Sequence, residues 1–469
     1  MTNTIVRLTD IARCFEGVIP TLIATADRNG IPNVAYVSQL HLIDERHVAV
    51  SRQFFNKTSR NLDENRRAAA EVLEPVTFEA YRLQMRFVRS ETSGPLFDSM
   101  SLRIDAIASH TGMAGVFRLV AADVFEVLRA ERVDGYLTEP PPGTPEEEVS
   151  LAGFRTELRG LQLMSERINR APDLESLFDA VLRALDEYFG FQHAMILLHE
   201  PASDRLVTIA SRGYGESGVG AEVTVGEGLI GTAAREGSVI RVTAFDQELR
   251  YGRAIRREML SHPNRHAVGA EVPLPGLPEV ESMLVIPLCI GDRLLGVLAA
   301  ESDETLRFAE WHEGYLNVIG NQIALGIDRI AERDADDEGE APLRVAAAAS
   351  RELQRPPQAP LPQTRRRLVF YRADDAIFAD DEYLIRNVPA RILWRLLEEY
   401  RERGRTEFTN RELRLDASLA LPELKDNLES RLILLRRRLA EKCPDVKMVP
   451  TGRGRFQLVV DSQLELVER

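Results

Sequence analysis

The sequence predicts a multi-domain α+β protein, and three observations carry that prediction. The chain has 469 residues, enough for about three domains of ordinary size. Two stretches break its composition: Leu137–Ser150, with four consecutive turn formers at Pro140–Gly143 and three glutamates at 146–148, and Glu332–Gln363, acidic and then rich in Ala and Pro. The three segments so defined differ in periodicity: strands around one helix, then helices bracketing strands, then helices followed by a hairpin. The expected division is 1–138, a linker at 139–152, 153–332, a flexible tether at 333–366 and 367–469.

Composition narrows the class. The apolar share of 44% and charged share of 28% suit folded, water-facing domains. A net charge of −14 excludes a general polyanion binder, so any nucleic-acid surface has to be local. Cys14, Cys289 and Cys443 are far apart and suggest neither a disulfide framework nor a zinc site. The N-terminus has no apolar signal core and no apolar run approaches the ~20 residues of a membrane helix, so a cytoplasmic location is expected.

In the first segment, Thr21–Thr25 and Asn33–Ser38 flank an Asn29-Gly30 turn, a strong hairpin signal. His47–Ser51, Ala68–Leu73, Tyr81–Val88 and Val116–Leu128 read as further strands, and Leu96, Met100, Ile104 and Ile107 have helical spacing. Many strands around one helix suggest a small barrel. The stretch Ser51–Asn61 reads as a polar loop whose hydroxyls, amides and cations suit a phosphate. Asn56-Lys57-Thr58, then Asn61-Leu62 and Asn65, resemble the pyridoxamine-phosphate-oxidase-like FMN-binding split barrels. The resemblance implies a pocket for FMN or a related cofactor, with Ser51, Arg52, Lys57, Thr58 and Asn61 on its phosphate side. Asn65-Arg66 departs from the Asn-Pro of many members. No residue stands out as a catalytic acid or base; His110 reads as a loop histidine near the ring or in solvent.

In the second segment, Phe154–Ile168 and Leu174–Leu185 carry helical stripes, and His193–His199 and Leu206–Ser211 read as strands. Gly226, Gly228 and Gly231 spell G-x-G-x-x-G, the dinucleotide-binding pattern. Such a fold needs a crossover helix of about ten residues or more, and only Leu229–Arg235 fits before the next strand, Val239–Val242. Two apolar runs, Met283–Ile290 and Leu294–Ala300, meet through Gly291-Asp292-Arg293, and a helix from Phe308 to Ile330 follows. This order, with Gly226–Gly231 and the paired runs, resembles a GAF domain, an antiparallel sheet with flanking helices. The resemblance implies a small-molecule pocket under about Thr243–Val280 and pairing of the flanking helices in a homodimer. The ligand is not legible. His262, His266 and Cys289 lack ligand-like spacing, and Cys289 reads as a buried core thiol.

In the third segment, Arg367–Tyr371 and Tyr383–Val388 read as strands, and Pro389 as the opening of a helix. Thr409 and Glu412 form a capping-box pair, Leu424 to Leu439 mark a third helix, and Val446–Val449 and Phe456–Val460 close as a hairpin. Three helices and a glycine-tipped hairpin resemble an OmpR-type winged helix. The resemblance implies DNA contacts from Asn427, Ser430, Arg431, Arg437 and Arg438 on the third helix and from Arg453 and Arg455 on the wing. Asp426 and Glu429 oppose phosphate, and Ile433 projects away from the leucine stripe, as a protein contact would.

Together these features predict a sensory transcriptional regulator: flavin or metabolite sensing in the first two segments, DNA binding in the third. The rival is a flavin-dependent oxidoreductase regulated by its other domains; a third reading is a scaffold whose winged helix holds a protein.

Overall fold

Alternation along the strands sorts this chain into layers. The structure, a computed structural model, describes residues 6–17, 19–53, 56–133, 151–201, 203–214, 218–261, 276–339, 365–419, 421, 428–452 and 454–469.

The first unit contains β1 (Thr21–Ala26), β2 (Pro32–Val37), β3 (Leu40–Leu42), β4 (His47–Arg52), α1 (Asn56–Glu64), β5 (Arg67–Leu73), β6 (Ala80–Glu91), α2 (Pro95–His110) and β7 (Ala121–Arg132). Its seven strands form one sheet in the order β2-β1-β5-β6-β7-β4-β3, every pair antiparallel. Two register shifts, at Gln84/Met85 and Phe87/Arg89, bend the long β6–β7 pair and curl the sheet into a half-barrel. Ile23, Val50, Leu83, Met85 and Phe125 fill it. The stretch expected as a loop at Ser51–Asn61 is the end of β4 and then α1 from Asn56. The helix escaped notice because its inward face includes Thr58 and Asn61 beside Leu62, so hydropathy shows no stripe.

The second unit contains α3 (Leu151–Arg170), α4 (Leu174–Phe189), β8 (His193–Glu200), β9 (Arg205–Arg212), β10 (Glu222–Thr224), α5 (Gly228–Glu236), β11 (Ile240–Val242), α6 (Phe245–Ser261), β12 (Ser282–Ile290), β13 (Arg293–Ser302) and α7 (Glu310–Gly339). Asp173 starts α4 by accepting a hydrogen bond from the Ser176 amide at 2.8 Å, and Gly190 ends it in the left-handed conformation. The sheet order is β10-β9-β8-β13-β12-β11. Helix α6, within the expected variable region, had no sequence-based assignment.

The third unit contains β14 (Arg365–Tyr371), β15 (Ala376–Ala379), β16 (Glu382–Arg386), α8 (Asn387–Arg403), β17 (Glu407–Thr409), α9 (Asn410–Leu415), α10 (Leu428–Lys442), β18 (Val446–Gly452), β19 (Arg455–Val460) and β20 (Gln463–Glu468). One sheet runs β16-β15-β14-β20, with β20 parallel to β14, and another β17-β19-β18. Thr409 caps α9 by accepting from the Glu412 amide at 3.2 Å. Helix α8 begins at Asn387 rather than Pro389, which still lies in the first turn, where a missing N–H costs nothing.

The expected linkers shorten. Helix α3 begins at Leu151 and α7 runs to Gly339, while 134–150 and 340–364 lie outside the described residues. The central sheet then divides two cores. On one face Met195, Leu197, Met283, Val285, Val297 and Ala299 share a core with α5 and with Ala106 of α2. On the other, Ala194, Ile196, Leu284, Ile286, Leu298 and Ala300 belong to a core that continues into Leu393, Leu397, Leu432 and Leu435 of the third unit. Alternate residues of the same strands therefore meet different neighbours.

Candidate functional sites

The half-barrel holds a cavity of about 370 Å³. Its walls include Ile104, Ile107 and Phe117, and Gly252 of α6 borders it from the second unit. Its polar lining includes Ser38, Gln39, Gln53, Arg103 and Thr111. Ser38 Oγ lies 2.8 Å from Ser51 Oγ, and Gln53 Nε2 donates to Ser38 Oγ at 3.0 Å. Apolar walls with a few polar groups among them suit a small planar ligand.

Of the five residues implied for the phosphate side, Ser51 reaches this lining, bonded to Ser38 and accepting from the Gln39 amide at 3.1 Å. Arg52 approaches buried Asp123 at 3.6 Å, so a phosphate would compete with a carboxylate for it. Burial pushes the Asp123 carboxyl up, against hydrogen bonding from Ser90 and the charge of Arg52. Lys57 is exposed, its ammonium 3.5 Å from the Pro32 carbonyl, and is the most available cation of the five. Thr58 and Asn61 are buried: Asn33 Nδ2 donates to Thr58 Oγ1 at 2.9 Å, and Asn61 Nδ2 donates to Thr25 Oγ1 at 3.1 Å. Those two tie α1 to the hairpin. His110 is not in a loop; it ends α2, buried, with its ring 5.0 Å from that of Phe245.

The glycine pattern has a structural explanation. Gly226 and Gly228 have φ of +89° and +63°, which side-chain-bearing residues rarely adopt. At Gly231 a Cβ would lie 2.2 Å from the Thr224 carbonyl oxygen. The turn's polar groups face the half-barrel: the Gly228 amide donates to Ser109 Oγ at 2.9 Å, and Ser109 Oγ donates to the Gly226 carbonyl at 3.3 Å. Nearby, Arg241 Nη1 donates to Glu16 Oε2 at 2.8 Å and Thr243 Oγ1 to the Glu16 carbonyl at 2.9 Å.

Inside the second unit sits a group that sequence reading missed. Glu301, on β13, is 1% exposed on the same sheet face as Val297 and Ala299. Its Oε2 accepts from the Leu277 amide at 2.8 Å, while Oε1 has no hydrogen-bond partner. The buried Tyr214 hydroxyl lies beside it, and its interaction holds the Glu301 carboxyl down against the effect of burial. Burial pushes the Glu301 carboxyl up to about 7. The available signal was parity: residues 297, 299 and 301 share an inward face, and the third is a glutamate. Cys289 is not a fully buried thiol; it is half-buried at a register shift in β12. His262 and His266 lie outside the described residues. Among the described residues no group of three or more His, Cys, Asp or Glu is arranged for a metal, and no helix is long and apolar enough to cross a membrane.

On the third unit, Asn427 and Arg453 lie outside the described residues and Arg455 is exposed at the start of β19. Ser430 is buried. Arg431 Nη2 donates to Glu200 Oε1 at 3.1 Å, Arg437 Nη2 to Asp179 Oδ1 at 3.0 Å, and Arg438 Nε to the Leu384 carbonyl at 3.0 Å. The first two partners belong to the second unit, so α10 turns these side chains toward it. Ile433 is fully buried.

Comparison with known proteins bears most directly on the central unit, where residues 173–327 match the GAF domain family. This unit is a GAF domain. A GAF domain points to a sensory or regulatory role. Similar solved structures include the GAF domain of an Acinetobacter phosphoenolpyruvate-protein phosphotransferase, 20% identical, covering 37% of this chain and 93% of that one, TM-score 0.31. Free methionine-R-sulfoxide reductase from Neisseria meningitidis is 20% identical, covering 38% and 91%, TM-score 0.30. An FMN-binding protein from Syntrophomonas wolfei subsp. wolfei is 25% identical, covering 27% and 86%, TM-score 0.24. No curated protein matches the chain.

Proposed function

We propose that this chain is a sensory transcriptional regulator whose GAF domain relays the state of two small-molecule sites to a DNA-binding C-terminal unit. The observation that carries the proposal is the two-faced GAF sheet, one core shared with α2 of the half-barrel and the other with the C-terminal unit. A ligand that favours one packing of either core shifts the other by its difference in affinity for the two arrangements, and by no more.

In the half-barrel, FMN or a related planar cofactor is the proposed occupant. Ile104, Ile107 and Phe117 would pack the ring and Gln39 and Gln53 would bond its heteroatom edge; Lys57, outside that lining, is the exposed cation proposed for the phosphate. Such a cofactor supplies reversible electron uptake. In the GAF domain, the buried Glu301 carboxyl and the Tyr214 hydroxyl beside it mark the proposed ligand side of the sheet. In the C-terminal unit, the order of α8, α9, α10 and the β18–β19 hairpin supports a winged helix, with α10 as its DNA-reading helix.

A homodimer is part of the proposal. Trp311, Val318 and Leu325 recur every seven residues along α7 and are exposed, as is Leu158 on α3. An apolar stripe at this spacing suits a helix pair between two copies. Sedimentation of the full chain with Leu325→Glu tests it: the substituted chain is expected to sediment as monomer, and an unchanged dimer would remove α7 from the interface.

The deciding experiment for the sensory reading is an absorbance spectrum of the purified chain, with mass analysis of what denaturation releases. A flavin spectrum is expected; a colourless chain releasing nothing removes the FMN proposal. Retention of genomic DNA fragments at low salt, falling steeply with added salt, tests the output.

A further inference from the structure

We propose that the GAF domain acts as an autoinhibitory latch on α10, an inference that rests on the DNA-binding reading above. The leucines at 428, 432, 435 and 439 turn into the apolar core that joins α8 and α10 to one face of the GAF sheet. The opposite face, which a DNA-reading helix presents to the groove, is instead laid on the GAF domain. Glu175 and Asp179 are one turn apart on α4, so both carboxylates share a face. Arg436 Nη2 lies 3.3 Å from Glu175 Oε2 and Arg437 Nη2 lies 3.0 Å from Asp179 Oδ1. One strand away, Glu200 at the end of β8 receives Arg431, whose side chain is only 9% exposed. Between these pairs the seam is tight: a Cβ on Gly220 would touch Leu434 Cδ1 at 3.7 Å and Arg438 Cδ at 3.5 Å. Arg386 extends the contact beyond α10, with Nε donating to Glu222 Oε1 at 2.9 Å.

Three guanidinium groups of α10, with Arg437 opposite the leucine stripe and Arg431 and Arg436 at its flanks, thus meet three GAF carboxylates. A guanidinium held by a carboxylate is partly neutralised and turned toward the GAF domain, so a DNA phosphate has to compete with that carboxylate for it. DNA and the GAF domain therefore compete for one surface, and apparent DNA affinity is lowered by the fraction of chains whose seam is closed. The Arg436–Glu175 and Arg437–Asp179 pairs have partly exposed carboxylates and are weakened by salt, while the Arg431–Glu200 pair is the more buried of the three. Its carboxylates sit on α4 and β8, elements of the GAF fold itself, where a ligand-dependent shift would act on them together.

The test compares full chains carrying E175Q/D179N/E200Q with chains carrying E166Q/E187Q/E236Q, which have the same net charge and leave the seam carboxylates in place. Hydrogen exchange across α10 and the Gly220 turn reports seam opening, and anisotropy of a fluorescent random-sequence DNA duplex at low salt reports binding. The seam triple is expected to exchange faster there and to bind DNA about tenfold more tightly than the control. An opened seam with equal DNA binding in both chains overturns the latch and leaves the DNA reading standing. An opened seam with no DNA binding in either chain overturns the DNA reading and the latch with it. Unchanged exchange shows that the ion pairs do not hold the helix, which also overturns the latch.

Discussion

The Ser109 hydroxyl, in the last turn of α2, accepts a hydrogen bond from the Gly228 amide at 2.9 Å, in the first turn of α5. Glu227, at the usual capping position, makes no side-chain cap, so a residue of the half-barrel caps a helix of the GAF domain. Ser109→Ala is therefore expected to cost about 1 kcal/mol locally. Amides of α5 should exchange faster, with α7 unaffected. Unchanged exchange in α5 would show that water replaces the hydroxyl without loss.

The glycines of the same turn differ in what they forbid. Gly228→Ala is expected to cost ~1–2 kcal/mol, the price of a left-handed backbone with a Cβ. Gly231→Ala forces a methyl against the Thr224 carbonyl and should cost more, at least about 3 kcal/mol if the backbone cannot yield. Denaturation followed by exchange in α5 ranks the two, and the reverse order would refute the geometric account.

Glu301 makes the GAF core sensitive to pH. Its carboxyl lies at about 7 against an ordinary value of 4.5, so between these values the folded state alone retains the proton. Stability is expected to fall as pH rises through that window and to level off above it, by a total on the order of 3 kcal/mol. Glu301→Gln, which stays neutral, should flatten the profile and stabilise the domain at pH above 7. Parallel profiles for both chains would mean the carboxyl is not held in the core.

Lys57 and Asn61 separate binding from folding. Lys57→Ala removes an exposed cation and is expected to weaken cofactor retention about tenfold or more while thermal stability hardly changes. Asn61→Ala leaves the Thr25 hydroxyl without its buried partner, and should cost ~1–2 kcal/mol whether or not cofactor is present. Titration with FMN beside thermal unfolding distinguishes them. Equal loss of stability in both would place Lys57 in the scaffold.

What could be read in the chain followed its apolar periodicity. The β1–β2 hairpin, α2, α4, the β12–β13 pair and the capped α9 all announce themselves through alternation, helical stripes, an Asn-Gly turn or a capping box. Helix α1 did not, because Thr58 and Asn61 face inward and are satisfied by Asn33 and Thr25, which are distant in sequence. Strand β20 was missed for a similar reason: it is stabilised by parallel pairing with β14, almost a hundred residues earlier, rather than by local pattern. Glu301 was hidden by its neighbours, since a glutamate after an apolar strand reads as a solvated end until the strand's inward parity is followed one step further.

The sequence by itself determined the order of the three units and the presence of the GAF domain, because each depends on short-range patterns that survive in one dimension. It also disfavoured a dinucleotide loop at Gly226–Gly231, since nine residues of α5 cannot make the crossover. Only the tertiary structure decided what that turn and α10 face. Ser109 is over a hundred residues from Gly228, and Arg437 over two hundred and fifty from Asp179. Capping and charge pairing act over a few ångströms of space, and local periodicity carries no record of which distant donor will arrive there.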